Sequence, residues 1–192
     1  MRRLIAFELV SLDGVAQSPN EWAFSYSDEE MERENATGME ASDALLLGRN
    51  TYEEFASFWP HQPGGTSLVD YINSVRKYVV STTLEEPLEW NNSTLLPGSF
   101  FGEITGLKQQ SGKNITTTGS ISLVRSLMRA GLLDEIQLMV HPIVLGSGDR
   151  LFEDDEEQKT IELVDSKAFG SGVISLVYRP STARDHRQEV ET

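Results

Sequence analysis

"LLLGRNTYEEF", residues 45–55, carries three leucines into a glycine, an arginine and a threonine, and then into a stretch with helical spacing. A short apolar run that ends at glycine and opens straight into a helix is the unit of which parallel sheets are made, because the chain needs a crossover to bring the next strand alongside. The arginine is conspicuous, since the 192 residues include only 16 Lys and Arg against 30 Asp and Glu, a formal net charge of −14. Arg49 has two readings. At a helix start it can fork onto a phosphate group, or it can pair with a surface carboxylate, and spacing alone does not choose between them.

Working outward, "RLIAFELV" (residues 3–10) predicts a first, mostly buried strand, and "SLDG" turns the chain. Glu8 and Asp13 interrupt the apolar run behind the two N-terminal arginines, so a secretory leader is not expected. A helix is expected from Asp28, with Ser27 as N-cap and acids in its first turn. "DALLLG" is a strand, "TYEEFASFW" a helix stopped by Pro60, and "LVDYINSV" a helical turn. "RKYVVST" is β-branched strand sequence, a further strand lies near "STLLPG", and "NITTTGS" is a strand ending at Gly119. "ISLVRSLMRAG" follows as a helix with Ile121, Leu123, Val124, Leu127 and Met128 on one face, closed by Gly131. "DEIQLMVHPIVLG" is a strand, and "TIELVDSKAF" and "GVISLVYRP" form the final pair. The order predicts an α/β fold: a mostly parallel central sheet with antiparallel C-terminal strands and helices on both faces. Residues 1–180 are read as a single domain, 181–192 as a disordered tail, and "EDDEEQ" (153–158) as a solvated loop.

Composition limits the function. Apolar residues at 39% and charged residues at 24% are globular proportions, and no stretch has the apolar length to cross a bilayer. The absence of cysteine removes disulfides, thiolate metal sites and cysteine nucleophiles, and the cytoplasm is the expected compartment. A charge of −14 without a basic patch argues against nucleic acid. His61, His141 and His186 lack ligand spacing, so no metal is expected, and no Gly-x-Ser-x-Gly elbow is present.

In an open α/β sheet ligands bind at the carboxyl ends of the parallel strands, where helix N-termini offer N–H groups. Three exits are informative: Gly48, Arg49 and Thr51; Ser81, Thr82 and Thr83, with Arg76 or Lys77 one strand-length away; and Gly119 with Ser120 before the helix at Ile121. The second is also ordinary turn sequence, and the third reads equally as a tight turn with a serine N-cap. "PIVLGSGDRLF" (142–152) is glycine-rich but lacks a following helix, and is read as a β-bulge or edge loop.

Taken in order, "GRNTYE", "RKYVVST" and "TTTGS" resemble the strand exits of dihydrofolate reductase. The segment "GSISLVRSLMRAGLLDEIQLMVHPIVLGSGDRLF" looks more closely like the reductase domain of the bifunctional riboflavin-biosynthesis deaminase-reductase and its stand-alone relatives, with the Gly-Leu-x-Asp-Glu and Pro-x-x-Leu-Gly-x-Gly-x-x-Leu-Phe patterns. With "SLDG" the likeness spans residues 3 to 178. It implies a dihydrofolate-reductase-like fold, NADPH as hydride donor and a homodimer. Carried over, Gly48, Arg49 and Thr51 would meet the cofactor phosphates, Ser81 and Thr82 its adenosine half, and Gly119, Ser120 and Ile121 its pyrophosphate. Asp13 and Gly14 would lie near the nicotinamide and substrate, and Asp28, after Trp22, stands where dihydrofolate reductase has its proton-donating acid. The chain departs from the pattern at Thr117 and Thr118, where the family shows glycines or an apolar residue, and it has no deaminase half.

The activity implied is hydride transfer from NADPH to a C=N or C=O carbon of a small heterocyclic or ribosylaminopyrimidine-like substrate, a reductase step of the riboflavin-biosynthesis type. Asp13 and Asp28 are the candidate catalytic acids, and Trp22, Phe24 and Tyr26 the candidate substrate wall. The competing readings are that Asp28, Glu29 and Glu30 merely favour a helix start, that the aromatics are core, and that the scaffold binds a nucleotide or partner without turnover.

Overall fold

A computed structural model describes residues 1–96, 100–152 and 158–181. The three leucines of the opening stretch explain the architecture. In β2 (Ser42–Gly48) Ala44 and Leu46 point into one apolar cluster while Leu45 and Leu47 point into another, the arrangement of a strand buried on both faces. Alternation at period two therefore looks like an unbroken hydrophobic run.

Eight strands form one sheet: β1 (Leu4–Ser11), β2, β3 (Arg76–Val80), β4 (Ser93–Leu96), β5 (Asn114–Thr117), β6 (Glu135–His141), β7 (Ile161–Ala168) and β8 (Ile174–Pro180). Their order is β4-β3-β2-β5-β1-β6-β8-β7, parallel from β4 to β6 and antiparallel from β6 to β7. Among the described residues five α-helices cover it: α1 (Glu29–Glu40), α2 (Arg49–Phe58), α3 (Ser67–Ser74), α4 (Phe101–Gln109) and α5 (Ile121–Arg129). One cluster joins Leu4, Ala6, Val10 and Leu46 to Ile104 and Leu107 of α4 and Leu123, Val124 and Leu127 of α5. The opposite face is closed by Tyr52 of α2 and Ile72 of α3, and farther along by Met31 of α1 against Met139 and Phe169. The expected mostly parallel sheet, antiparallel closing strands and helices on both faces are all present.

Three details differ from the sequence reading. The first is α4, which was not anticipated: "FGEITGLKQ" contains Gly102 and Gly106, and glycine disfavours a helix interior, yet burial of Ile104 and Leu107 stabilises it. The segment "LVDYINSV" is a full helix capped by Thr66 rather than a single turn. The N-cap of α1 is Asp28, not Ser27. The expected tail at 181–192 and the acidic loop at 153–158 lie almost wholly outside the described residues. Among the described residues no helix is long and apolar enough to cross a membrane.

Candidate functional site

Because β2, β3 and β5 run parallel, their carboxyl ends share one rim of the sheet. Gly48, Arg49, Val80, Ser81, Thr82 and Ser120 line a single cleft of about 440 Å³ there, with Phe100 and Leu123 as apolar walls. All three exits singled out in the sequence thus converge. A larger groove of about 700 Å³, lined by Arg2, Asp43, Tyr71 and Arg76, lies at the amino ends of the strands. Arg76 therefore belongs to the far rim. Lys77 is fully buried, its Nζ donating to the carbonyls of Val75 at 2.9 Å, Asn91 at 3.4 Å and Asn73 at 3.5 Å and lying 4.1 Å from the centre of the Trp90 ring. Neither residue reaches the cleft.

The cleft is made by two helix starts pressed together. Gly48 is the N-cap of α2 and Ser120 the N-cap of α5, and neither helix is closed by a side-chain cap, so first-turn N–H groups face the rim. Gly48 N–H donates to the Gly119 carbonyl at 3.3 Å. A Cβ on Gly48 would collide with Ser120, and one on Gly119 would lie 2.8 Å from Thr51 Oγ1, while Gly119 itself has φ +97°. Both positions therefore require glycine. The Gly119–Ser120 peptide is cis. Arg49 is exposed at the first position of α2 and donates to Glu53 at 3.3 Å, a pair on the solvent face.

Individual residues play roles that the sequence did not separate. Thr51 stands against Gly119, and Ile121 packs against the core and is not among the residues that line the cleft. Ser81 Oγ accepts from Thr83 N–H at 3.1 Å and Leu84 N–H at 3.0 Å and lies 3.4 Å from Thr83 Oγ1, so this hydroxyl folds its own turn, while Thr82 and Thr83 line the cleft beside it. Thr117 is buried and its hydroxyl donates to the Gly119 carbonyl at 3.4 Å.

The two candidate acids each anchor neighbouring backbone. Asp13 accepts from Ser11 Oγ at 2.7 Å, Gly146 N–H at 2.9 Å and Leu145 N–H at 3.1 Å, and these bonds, the serine's first, hold its carboxyl down to about 2. It ties the exit of β1 to the 142–152 loop, which also pairs with the chain at Val15 and Arg150. Apart from that bridge the segment is loop. Gly14 turns beside it with φ +83°. Asp28 accepts from Met31 N–H at 2.8 Å and Ser171 N–H at 3.1 Å, and the helix-cap bond leads in holding its carboxyl below the usual range.

Around the exits of β1 and β6, Trp22 and Tyr26 set their rings edge-on to His141, with centroids 5.3 and 5.8 Å away. Trp22 Nε1 donates to the Gln17 carbonyl, and Phe24 is 61% exposed and stands apart from the group. His141 is buried, its Nδ1 is 2.9 Å from the Met139 carbonyl, and burial pushes its pKa down. It sits opposite Ser11 in the β1–β6 register. As a polar residue ending a parallel strand it carries the same sequence signal as the other exits, one that metal-ligand spacing does not capture.

Glu8 was also overlooked. It lies in the central strand, 6% exposed, with Oε1 buried and lacking a hydrogen-bond partner. Burial pushes its carboxyl up to about 8, offset in part by the Gly119 N–H. An acid inside an apolar strand was visible in "RLIAFELV" and had been read only as evidence against a leader peptide.

The model of the RibD C-terminal domain family matches residues 2–175. YyaP, an uncharacterised protein of Bacillus subtilis strain 168, is 30% identical over 183 residues, 92% of this chain and 94% of that one. A Shewanella sp. PV-4 protein assigned to riboflavin biosynthesis has a similar structure, with a TM-score of 0.74 at 23% identity, covering 94% of this chain and 99% of that chain. Acinetobacter baumannii RibD gives a TM-score of 0.66 at 14% identity, covering 95% of this chain and 59% of the longer RibD chain. At these identities the structural likenesses speak for the fold alone.

Proposed function

The chain belongs to the RibD C-terminal domain family, a reductase family, and from that membership we propose an NADPH-dependent reductase that delivers hydride to a C=N or C=O carbon of a small heterocyclic or ribosylaminopyrimidine-like substrate. One observation carries the reading: two uncapped helix starts and Arg49 converge on one cleft at the carboxyl rim of the parallel strands. Helix N-termini and a guanidinium are donors suited to phosphate. The glycines at 48 and 119, where a Cβ would collide, keep backbone N–H groups within reach of a ligand. The residues present therefore suit a dinucleotide.

In this reading Arg49 and the first turn of α2 hold one phosphate region, Ser120 and the first turn of α5 the pyrophosphate, and Thr82 and Thr83 the adenosine side. NADPH, when bound, supplies the hydride. The protein orients the ring and the substrate, with the Trp22, Tyr26 and His141 group beside the exit of β1 as the substrate side. Titration with NADPH is expected to quench tryptophan fluorescence with at least about micromolar affinity. Absence of binding sinks the reading.

A second reading, nucleotide binding without turnover, is favoured by the state of Asp13 and Asp28, whose carboxylates are committed to backbone N–H groups. NADPH that binds but is not consumed with any pyrimidine, pterin or carbonyl substrate supports it. A homodimer and a cytoplasmic location belong to the first reading. The outer strand β7 exposes Leu163 and Val164, and β8 exposes Ile174, apolar surface that a second copy would cover.

A further inference from the structure

Glu8 is the one described carboxyl oxygen bearer that the fold encloses and leaves with a buried, unpartnered Oε1. Its position is specific. Within β1 it falls between Ala6 and Val10 on the face that packs against α5, and it lies opposite Leu138 in the β1–β6 register. On the other side β5 ends at Thr117, paired with Ala6, so the next residues, the turn at Gly119 and Ser120, pass beside Glu8. The Gly119 amide comes close enough to offset part of the upward push of burial on the Glu8 carboxyl, and the carbonyl of the same residue takes bonds from Gly48 N–H and Thr117 Oγ1. Glu8 thus lies beside the turn that starts α5, whose Ser120 lines the cleft.

We propose that Glu8 positions the Gly119–Ser120 turn as a neutral carboxyl group, so that loss of its proton weakens the grip of the cleft on a phosphate-bearing ligand. The inference rests on the cleft being a phosphate site, as argued above. A carboxylate under the α5 N-terminus would compete with a bound phosphate for the same positive end of the helix and the same N–H groups, in surroundings where charges are poorly screened. A neutral carboxyl group accepts the glycine N–H without that opposition.

Few other charges bear on Glu8. Leu138 of β6 lies opposite Glu8, β5 ends two residues short of it at Thr117 opposite Ala6, and Leu123, Val124 and Leu127 of α5 share the cluster of Ala6 and Val10 on the same face of β1. The charged groups of the same elements turn elsewhere. Arg125 of α5 donates to the carbonyls of Arg150 and Leu151, and Arg129 lies in the last turn of that helix. Glu135 pairs with Arg3 and Arg179 at the start of β6, and Lys108 of α4 pairs with Asp134. His141, at the end of β6, lies between Trp22 and Tyr26, and Asp13 faces Leu145 and Gly146.

The test measures the affinity of NADP+ and of inorganic pyrophosphate for the wild-type protein, Glu8→Gln and Glu8→Ala between about pH 6 and about pH 9.5, by tryptophan fluorescence or calorimetry. Wild-type affinity is expected to hold to about pH 7 and then fall by about thirtyfold by about pH 9.5, because binding that excludes the ionised form loses tenfold for each pH unit above about 8. Glu8→Gln, which keeps a neutral acceptor, is expected to show no such fall, and Glu8→Ala to bind more weakly at every pH. A flat wild-type profile, or the same fall in Glu8→Gln, overturns the proposal. Should the variants fail to fold, carboxyl-carbon NMR of glutamate-labelled wild-type protein decides: one side chain is expected to remain protonated at neutral pH and to titrate on either side of about pH 8, more alkaline once pyrophosphate is bound, and a spectrum in which every glutamate is ionised at neutral pH overturns it. The outcomes also separate the two levels of inference. A pH-dependent NADP+ affinity with no NADPH oxidation sinks the reductase reading alone, and NADPH oxidation with a flat affinity profile sinks the role of Glu8 alone.

Discussion

Gly48 stands where any side chain would strike Ser120, so the smallest enlargement is informative. Gly48→Ala is expected to cost about 1–3 kcal/mol in urea unfolding, the usual range for an overpacked site, and to weaken NADPH binding with it. Arg49→Ala separates the two effects. Its ion pair with Glu53 is exposed and worth less than about 0.5 kcal/mol, so stability is expected to hold while NADPH affinity falls by about tenfold or more. Both residues were legible in the sequence because a strand exit fixes where the next helix begins. Ser81, Asp28 and Glu8 were not, since the same side chain can serve a ligand or its own backbone, and only the fold shows which amides lie within reach. Glu8 also leaves a thermodynamic trace. Its folded carboxyl is raised from 4.5 to about 8, so the native state holds the extra proton between those values, and the contribution of Glu8 to stability falls as pH rises through that window. Glu8→Gln is expected to remove this slope in denaturation midpoints taken from acid to alkaline pH.

At the level of strands and helices, β3 shows the opposite slope. Burial pushes Lys77 down from 10.5 to about 8, so the unfolded chain holds the extra proton between these values and stability rises with pH across them. Lys77→Met is expected to abolish that rise and, at neutral pH, to leave the carbonyls of Val75, Asn73 and Asn91 short of a donor, at about 1–3 kcal/mol less the relief of burying no charge. Unfolding of both proteins by urea at neutral and alkaline pH checks it. In sequence "RKYVVST" sets two cations one strand-length from the exit. The fold keeps that separation, leaving Arg76 at the amino rim and Lys77 buried, so neither meets the cleft. Helix α5 was legible because its apolar face has helical period, whereas α4 was hidden by two glycines that tertiary burial overrides. Asp13 is the joint between elements: Asp13→Ala is expected to speed amide exchange at Leu145 and Gly146, whose N–H groups it accepts.

For the molecule as a whole, alternation of strand and helix was enough to give the sheet and its two covered faces, because that pattern admits few topologies. The order in which distant exits meet was carried instead by the family likeness. The surface bears a formal charge of −14 around a cleft suited to an anion. The distant field and Arg49 therefore act in opposition. Salt screens the distant field first, and NADPH association measured by stopped flow is expected to speed up from about 0.01 M to about 0.15 M salt, the reverse of a cofactor steered in by a basic surface. Sedimentation is expected to show the proposed homodimer, and a lysine in place of Leu163 to dissociate it if β7 is the contact. The Gly48 to Gly119 hydrogen bond has one more effect. It pins two crossovers at a common pivot, so β2–α2 and β5–α5 must swing together or not at all. The Ser81–Leu84 turn, whose hydroxyl bonds are internal, is tied to neither crossover by such a bond, and disulfide tethering of that turn is expected to slow NADPH exchange more than tethering of the pivot, a difference that stopped flow would read.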